Sequence, residues 1–141
     1  MESHMKKHAL RRQARQYALQ VLYSLELNPE PEASADEILP DTVIGKELAF
    51  AEALIESVRS HLDEIDPMLS AHLKRWSLSQ LNVVDKNILR MGVAELLYTE
   101  EKLDKKIVIN EAVEMAKVFG GENSYRLVNG ILNTIADENH S

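Results

Sequence analysis

The feature that most constrains the fold is residues 82–98, NVVDKNILRMGVAELLY, which are apolar around most of a helix. Asn82 is a favourable N-cap, and Asp85 falls in the first turn, where an acid is stabilised by the helix dipole. A helix that is apolar on nearly all sides has to be buried on nearly all sides. We therefore predict that this is the central, buried helix of the C-terminal half of the molecule.

The rest of the chain also favours helix. Apolar residues recur at helical spacing, β-branched alternation is nearly absent, and only 5 Gly and 4 Pro occur in 141 residues. This pattern predicts an all-α protein with one domain at residues 9–141, in halves of about 9–76 and 77–138. Residues 1–8 are predicted to be a flexible basic arm, in which MESH (residues 1–4) reads as an expression-tag remnant.

The first helix is predicted from about Ala9 to Leu27. At about 100° per residue, one stripe is apolar and should be buried; its members are Ala14, Ala18, Val21, Leu22 and Leu25. A second stripe lies on roughly the opposite side and consists of Arg12, Gln16, Leu19 and Tyr23. Tyr23 is therefore predicted to share a solvent-facing surface with the arginines.

The predicted breaks between helices come from proline, glycine and acidic residues. An acidic linker at residues 28–42 lacks helical periodicity. The second helix is predicted to break near Asp66-Pro67, and a short third helix extends towards Trp76. Later, Gly120-Gly121 should end one helix and the last should begin near Asn123.

Charge is unevenly distributed along the chain. Residues 1–15 carry five Lys or Arg and one acid, a net of +4, whereas the other 126 residues carry 11 basic and 22 acidic side chains, a net of −11. A basic start on an acidic body indicates that the start meets an anion, while the body repels anions or meets a basic partner.

Several kinds of function are disfavoured. Cysteine is absent, no two histidines have metal-ligand spacing, and no glycine-rich phosphate loop occurs. No apolar run approaches the roughly 20 residues of a membrane span. We therefore expect a cytoplasmic protein that is not an enzyme and has no cofactor or metal.

Two segments are candidates for RNA contact, and each also has a purely structural role available to it. Arg11, Arg12 and Arg15 can bind phosphates, and an exposed Tyr23 can stack on an unpaired base. The basic start is alternatively a solubilising terminus, and the tyrosine alternatively covers a neighbouring helix. The loop GGENSYR at residues 120–126 offers close approach and N–H donors, but a helix end followed by a helix start accounts for the same letters.

Three blocks of the sequence resemble the NusB family of bacterial transcription antitermination factors. They are RRQARQYALQVLYSLEL, VDKNILRMGVAELLY and IVINEAVEMAKVFGGENSYRLVNGILN, in this order and spacing. The last block is the most specific of the three. The resemblance implies an all-helical fold of two packed three-helix halves, without catalytic activity or cofactor.

The resemblance also implies partners. NusB proteins bind boxA, a single-stranded RNA element of ribosomal RNA leaders, together with NusE, a small-subunit ribosomal protein. The pair helps to assemble an antitermination complex on RNA polymerase.

Matched residue by residue, the resemblance places RNA contacts on two segments and NusE contacts on one. The RNA-binding residues expected here are Lys7, Arg11, Arg12, Arg15, Tyr23, Asn123, Ser124, Arg126 and Leu127. The start of the central helix, Asn82 and Asp85, is expected to contact NusE.

The chain departs from the family pattern at two positions. A neutral Asn123 stands where many members have an acid, which predicts equal or tighter RNA binding. A proline that usually precedes the INEA helix is missing, and Asp104 is predicted to cap the helix instead.

A competing interpretation remains at this point. The basic start could dock on protein rather than RNA, in an adaptor or a homodimer.

Overall fold

In the computed structural model, the described residues are 2–28, 45–101 and 103–139, with side chains described from Leu10 onward. These residues form helices α1 (Glu2–Leu27), α2 (Gly45–Ser60), α3 (Leu62–His72), α4 (Val83–Leu97), α5 (Lys105–Phe119) and α6 (Ser124–Glu138), with a 3-10 turn at Leu78–Gln80. No strand occurs in these ranges, so the all-α prediction is confirmed. The predicted linker at 28–42 lies outside the described residues, apart from Asn28.

Helix α4 is the centre of the fold, as its apolar circumference predicts. It packs against α1, α2, α3, α5 and α6, and nine of its 15 residues are buried. The predicted cap is present, because the Asn82 side chain accepts a hydrogen bond of 2.7 Å from the backbone N–H of Asp85. The α1–α2 pair and the α5–α6 pair both contact α4, and one continuous apolar core joins them.

Helix α1 differs from the prediction at its start and on one face. It begins at Glu2, so the helix includes residues 2–8, which were predicted to precede it. Four of the five residues predicted as the apolar stripe are buried, and the fifth, Leu25, is partly buried. Leu19 was predicted to face solvent but is buried as well, because Val84 and Phe119 lie on the same side of the helix.

The break between α2 and α3 falls at His61, not at Asp66-Pro67. Pro67 lies inside α3, where Ile65 and Leu69 on either side of it are fully buried and hold the helix against the core. Trp76, predicted on this helix, lies beyond its end at His72 and is exposed.

The two predicted boundaries in the C-terminal half are confirmed. Asp104 caps α5 by accepting a hydrogen bond of 2.8 Å from the Lys106 N–H, and the helix ends at Phe119, directly before Gly120. Within the described ranges, no helix has the length and apolar character needed to span a bilayer.

Candidate nucleic-acid interface

Arg15 lies inside the protein rather than on its surface. Its side chain is only 2% exposed, and its Nε and Nη2 atoms donate hydrogen bonds of 2.8 and 2.9 Å to the two carboxylate oxygens of Glu95 on α4. Two parallel hydrogen bonds satisfy both charged groups in a buried position. The predicted exposure of Arg15 is therefore wrong, because its ion pair with Glu95 joins α1 to α4; contact of Arg15 with RNA stays a prediction.

The two neighbouring arginines are also paired with acids, but nearer the surface. Arg12 donates two hydrogen bonds of 3.0 Å to Glu111 on α5, and its own side chain remains 53% exposed. Hydrogen bonding to Glu111, and then its negative charge, raise the pKa of Arg12. Arg11 donates a 2.7 Å hydrogen bond to Glu101 and lies 4.9 Å from the centre of the Phe50 ring. We call Arg11, Arg12 and Arg15 with their acids the arginine row; the side chain of Lys7 lies outside the described residues.

A groove runs along α1 beside the arginine row. It has a volume of about 520 Å³ and is lined by Gln13, Gln16, Tyr17, Leu19, Gln20, Tyr23, Val84 and Phe119. We call it the α1 groove. Tyr23 is 39% exposed and Phe119, at the end of α5, is 45% exposed, so two aromatic rings are available to solvent here. The prediction that Tyr23 faces solvent is confirmed.

The polar groups of the α1 groove are uncharged and available. None of its eight lining residues is acidic or basic, although the chain has a net charge of −7. Among the described residues, the carboxamides of Gln13, Gln16 and Gln20 have no hydrogen-bond partner. The groove therefore offers aromatic surface and hydrogen-bonding groups without a carboxylate that would repel phosphates.

Ser124 and Asp85, predicted to contact RNA and NusE respectively, are both buried and contact each other. Ser124 Oγ donates a 2.6 Å hydrogen bond to Asp85 Oδ2 and accepts one of 2.6 Å from the Gly121 N–H. These bonds fix the start of α6 against the start of α4. Both side chains are buried in this structure, where they join α6 to α4, and the contacts of Ser124 with RNA and of Asp85 with NusE stay predictions.

Gly120 allows this close packing. A Cβ atom at Gly120 would lie 2.7 Å from Ala116 O, from Asp85 Oδ1 and from Ser124 Cβ. These distances are too short for any side chain, so the glycine is required by the approach of α5, α4 and α6.

The exposed part of the loop carries the remaining predicted residues. Asn123 is exposed and its side chain makes no capping hydrogen bond, whereas Leu127 packs against the core. Arg126 is exposed, donates a 3.0 Å hydrogen bond to Tyr125 Oη and lies 5.6 Å from the centre of that ring. Lys117 Nζ lies 5.7 Å from the same ring, so two cations share Tyr125. Asn82, predicted to contact NusE, is exposed and acts as the cap of α4.

Five residues that line the α1 groove were not predicted to lie there: Gln13, Tyr17, Gln20, Val84 and Phe119. A usable signal was present, because Gln13, Gln16, Gln20 and Tyr23 follow one another at helical i+3 and i+4 spacing. Phe119 could not be placed beside them from α1 alone. Among the described residues, no cluster of three or more His, Asp or Glu could hold a metal ion.

Comparison with known proteins identifies the family. The NusB family model matches residues 12–137, which include α1 from Arg12, the α1 groove and the Asp85–Ser124 contact. The chain belongs to the NusB family.

Individual relatives agree with this assignment. The chain is 44% identical over 132 residues to the transcription antitermination protein NusB of Nitratiruptor sp., covering 92% of this chain and 94% of the relative. The structure of T. maritima NusB is similar with a TM-score of 0.81 at 37% identity, covering 91% of each chain.

A third comparison is with a NusB bound to partners. A crystal structure of the antitermination factors NusB and NusE in complex with double-stranded RNA is similar with a TM-score of 0.79 at 32% identity. The match covers 92% of this chain and 98% of the other.

Proposed function

We propose that this NusB-family protein is a transcription antitermination factor that binds boxA-type RNA together with NusE and helps to assemble an antitermination complex on RNA polymerase. The family assignment supports the antitermination role, and the similar NusB–NusE–RNA complex supports both partners. The acidic body, with a net charge of −11 outside residues 1–15, suits a basic protein partner.

The single observation that carries the RNA part of the proposal is the α1 groove. Single-stranded RNA is recognised by aromatic rings that stack on unpaired bases and by side chains that form hydrogen bonds with base edges. Tyr23 and Phe119 supply exposed rings, and the three glutamines, which have no hydrogen-bond partner among the described residues, supply donors and acceptors. Because no acid lines the groove among the described residues, bound RNA would not place a phosphate directly against a carboxylate there.

Charged contacts to the backbone come from a few exposed cations. Arg12 keeps 53% of its side chain exposed beside Glu111, and Arg126 is exposed at the start of α6. Few cations give modest affinity with a clear dependence on salt. A second protein, NusE, then supplies the remaining affinity and selectivity.

The experiment is a titration of labelled boxA-type RNA followed by fluorescence anisotropy. Single-stranded and double-stranded forms are compared, each with and without NusE, at low and moderate salt. We expect weak, salt-sensitive binding to the single strand that becomes tight when NusE is added. A folded protein that binds neither form, with or without NusE, would overturn the proposal.

Two variants locate the interface in the same assay. Tyr23→Ala should weaken RNA binding by about tenfold, because one stacked base contributes roughly 1–3 kcal/mol. Trp76→Ala is the matched control, since Trp76 is also an exposed aromatic residue but does not line the α1 groove. Equal effects of both substitutions would contradict the placement of RNA on this face.

The alternative of an adaptor or homodimer is separated by mass. If the basic start docks on a second copy, the double substitution Arg11→Ala with Arg12→Ala should lower the mass in solution and leave RNA binding unchanged. The RNA proposal predicts the reverse, namely weaker RNA binding at unchanged mass.

A further inference from the structure

We propose that the α1 groove holds one unstacked nucleobase and that the carboxamide of Gln16 reads the edge of that base. This inference rests on the proposed RNA-binding function and goes beyond it, because it assigns sequence selectivity to a specific residue. It is carried by the position of Gln16, by the lack of a hydrogen-bond partner for its amide among the described residues, and by the uncharged character of the described residues that line the groove.

Gln16 is the glutamine best placed to contact a bound base. It is half-buried, whereas Gln13 and Gln20, one turn away on either side, are exposed. It lies seven residues, or about two helical turns, before Tyr23 on the same side of α1. A base that stacks on the Tyr23 ring can therefore present its edge to α1 at the level of these amides.

The chemistry of the amide suits base reading. A carboxamide presents one acceptor oxygen and two N–H donors, so it can form two hydrogen bonds with a base edge at once. Because Gln16 has no hydrogen-bond partner among the described residues, it can form these bonds without breaking others. At a half-buried position, a base that mismatches the amide leaves polar groups unsatisfied, and this penalty produces discrimination.

A phosphate or a charged peptide suits the groove less well than a base. Among the side chains that the structure describes, no cation lines it to bind a phosphate, and no acid lines it to bind a lysine or arginine side chain. Arg12 and Arg15 do not line the groove, and they form hydrogen bonds with Glu111 and Glu95. What remains is aromatic and apolar surface with neutral donors and acceptors, which matches a nucleobase.

The test begins with an abasic scan of boxA-type RNA. The wild-type protein with NusE is titrated against RNAs that each lack one base, and we expect one position at which removal of the base weakens binding by about tenfold. The four bases are then compared at that position. If the wild-type protein binds no boxA-type RNA, the proposed RNA-binding function is wrong. This outcome differs from unchanged base discrimination in Gln16→Ala, which would overturn only the inference about Gln16.

Substitution of Gln16 then tests the inference itself. In Gln16→Ala, discrimination among the four bases at that position should fall by about tenfold, the range expected for the loss of a bidentate contact. Removing that base from the RNA should weaken binding of Gln16→Ala by less than the roughly tenfold expected for the wild-type protein. Unchanged base discrimination in Gln16→Ala would overturn the inference while leaving the proposed function intact.

Two further variants distinguish base reading by the Gln16 amide from a general loss of RNA affinity. Gln16→Glu has nearly the same shape but only acceptors, so it should shift preference towards guanine, whose N1–H and N2 amino groups are adjacent donors on the edge that is free in a single strand. Arg126→Ala should weaken all RNAs similarly and keep the ranking of bases, as expected for a phosphate contact. If Gln16→Ala instead weakens NusE binding in the absence of RNA, the groove is a protein-binding site and the inference is wrong.

Discussion

The arginine row and the α1 groove are neighbouring parts of the same helix and differ in whether their polar groups are paired. Each arginine of the row has a carboxylate partner, and Arg15 with Glu95 is almost completely buried. In the groove, the glutamine amides have no partner within the described residues, and two aromatic rings are exposed. A group that is already satisfied holds the fold together, whereas an available group can recognise a ligand.

The pairing of Arg11, Arg12 and Arg15 with acids changes the interpretation of this arginine cluster. The arginine cluster of an acidic protein suggests an anion-binding site, yet much of its charge is balanced by Glu95, Glu101 and Glu111. The row joins α1 to α4, to α5 and to the connection between them. Base recognition is expected from the α1 groove, which no charged side chain lines among the described residues.

The largest expected effect is on the arginine row. Arg15→Ala leaves Glu95 buried without its partner and should lower the free energy of unfolding by about 3–5 kcal/mol. Urea denaturation measures this loss. The double variant Arg15→Met with Glu95→Met should recover much of the stability, because apolar residues of similar volume replace the whole pair. A loss below about 1 kcal/mol in Arg15→Ala would show that the pair behaves like a surface ion pair.

In the α1 groove, a substitution should affect RNA binding more than it affects stability. Phe119→Ala should weaken RNA binding by about tenfold, since an exposed ring that stacks on a base contributes roughly 1–3 kcal/mol. Anisotropy titration measures the affinity, and thermal unfolding measures the stability in parallel. Because Phe119 is 45% exposed, the change in stability should be small compared with that of Arg15→Ala. A Phe119→Ala variant that loses stability but keeps its RNA affinity would contradict the assignment of RNA binding to the α1 groove.

The buried hydrogen bond between Ser124 and Asp85 is predicted to stabilise the start of α6. Ser124→Ala removes the hydrogen bond to Asp85 and the one from the Gly121 N–H, which should cost about 1–3 kcal/mol of stability. Asn123→Ala is the neighbouring control; its exposed side chain makes no capping bond, so its effect should lie within about 0.5 kcal/mol. Similar losses from both variants would show that Ser124 has no special structural role.

The fourth prediction addresses the phosphate contacts. Arg126→Ala should reduce the slope of log affinity against log salt by about 0.7, the value for one contact to a single strand. Titrations at several salt concentrations give the slope. An unchanged slope would show that Arg126 does not contact a phosphate.

The smallest effect is expected for an exposed ion pair far from the arginine row. His72 contacts the Met68 carbonyl oxygen and Glu138, each at 2.8 Å, and these interactions raise the pKa of His72 despite partial burial. A raised pKa in the folded state means that the contribution is fully present below about pH 6.5 and is lost as pH rises through the folded value.

The pH dependence of the free energy of unfolding measures this contribution, which should stay below about 1 kcal/mol because Glu138 is largely exposed. His72→Gln should remove the dependence. A wild-type protein whose stability increases over the same pH range would contradict the assignment to this pair.

Local features of the fold were predictable from the sequence. The caps Asn82 and Asp104, the burial of α4 and the exposure of Tyr23 all follow from residue type and helical periodicity. These features depend on residues within a few turns of one another, so the sequence contains them directly.

Burial was missed where residues far apart in sequence meet. Arg15 and Glu95 are separated by 80 positions, and Asp85 and Ser124 by 39. Their residue types are typical of surfaces, and only the tertiary fold brings each pair together and buries it. Leu19 was misplaced for the same reason, since the side chains that cover it come from α4 and α5.

The most direct test of the central claim is to map RNA binding residue by residue with NMR. Backbone amide and glutamine side-chain NH2 signals are recorded as boxA-type RNA is added. We predict that the largest changes occur in the α1 groove, at Gln16, Tyr23 and Phe119, and that residues around Arg15 and Glu95 change little. If the largest changes instead occur at Phe50 and Tyr98, beside Arg11, and the α1 groove is unaffected, the claim that RNA binds in the groove is wrong.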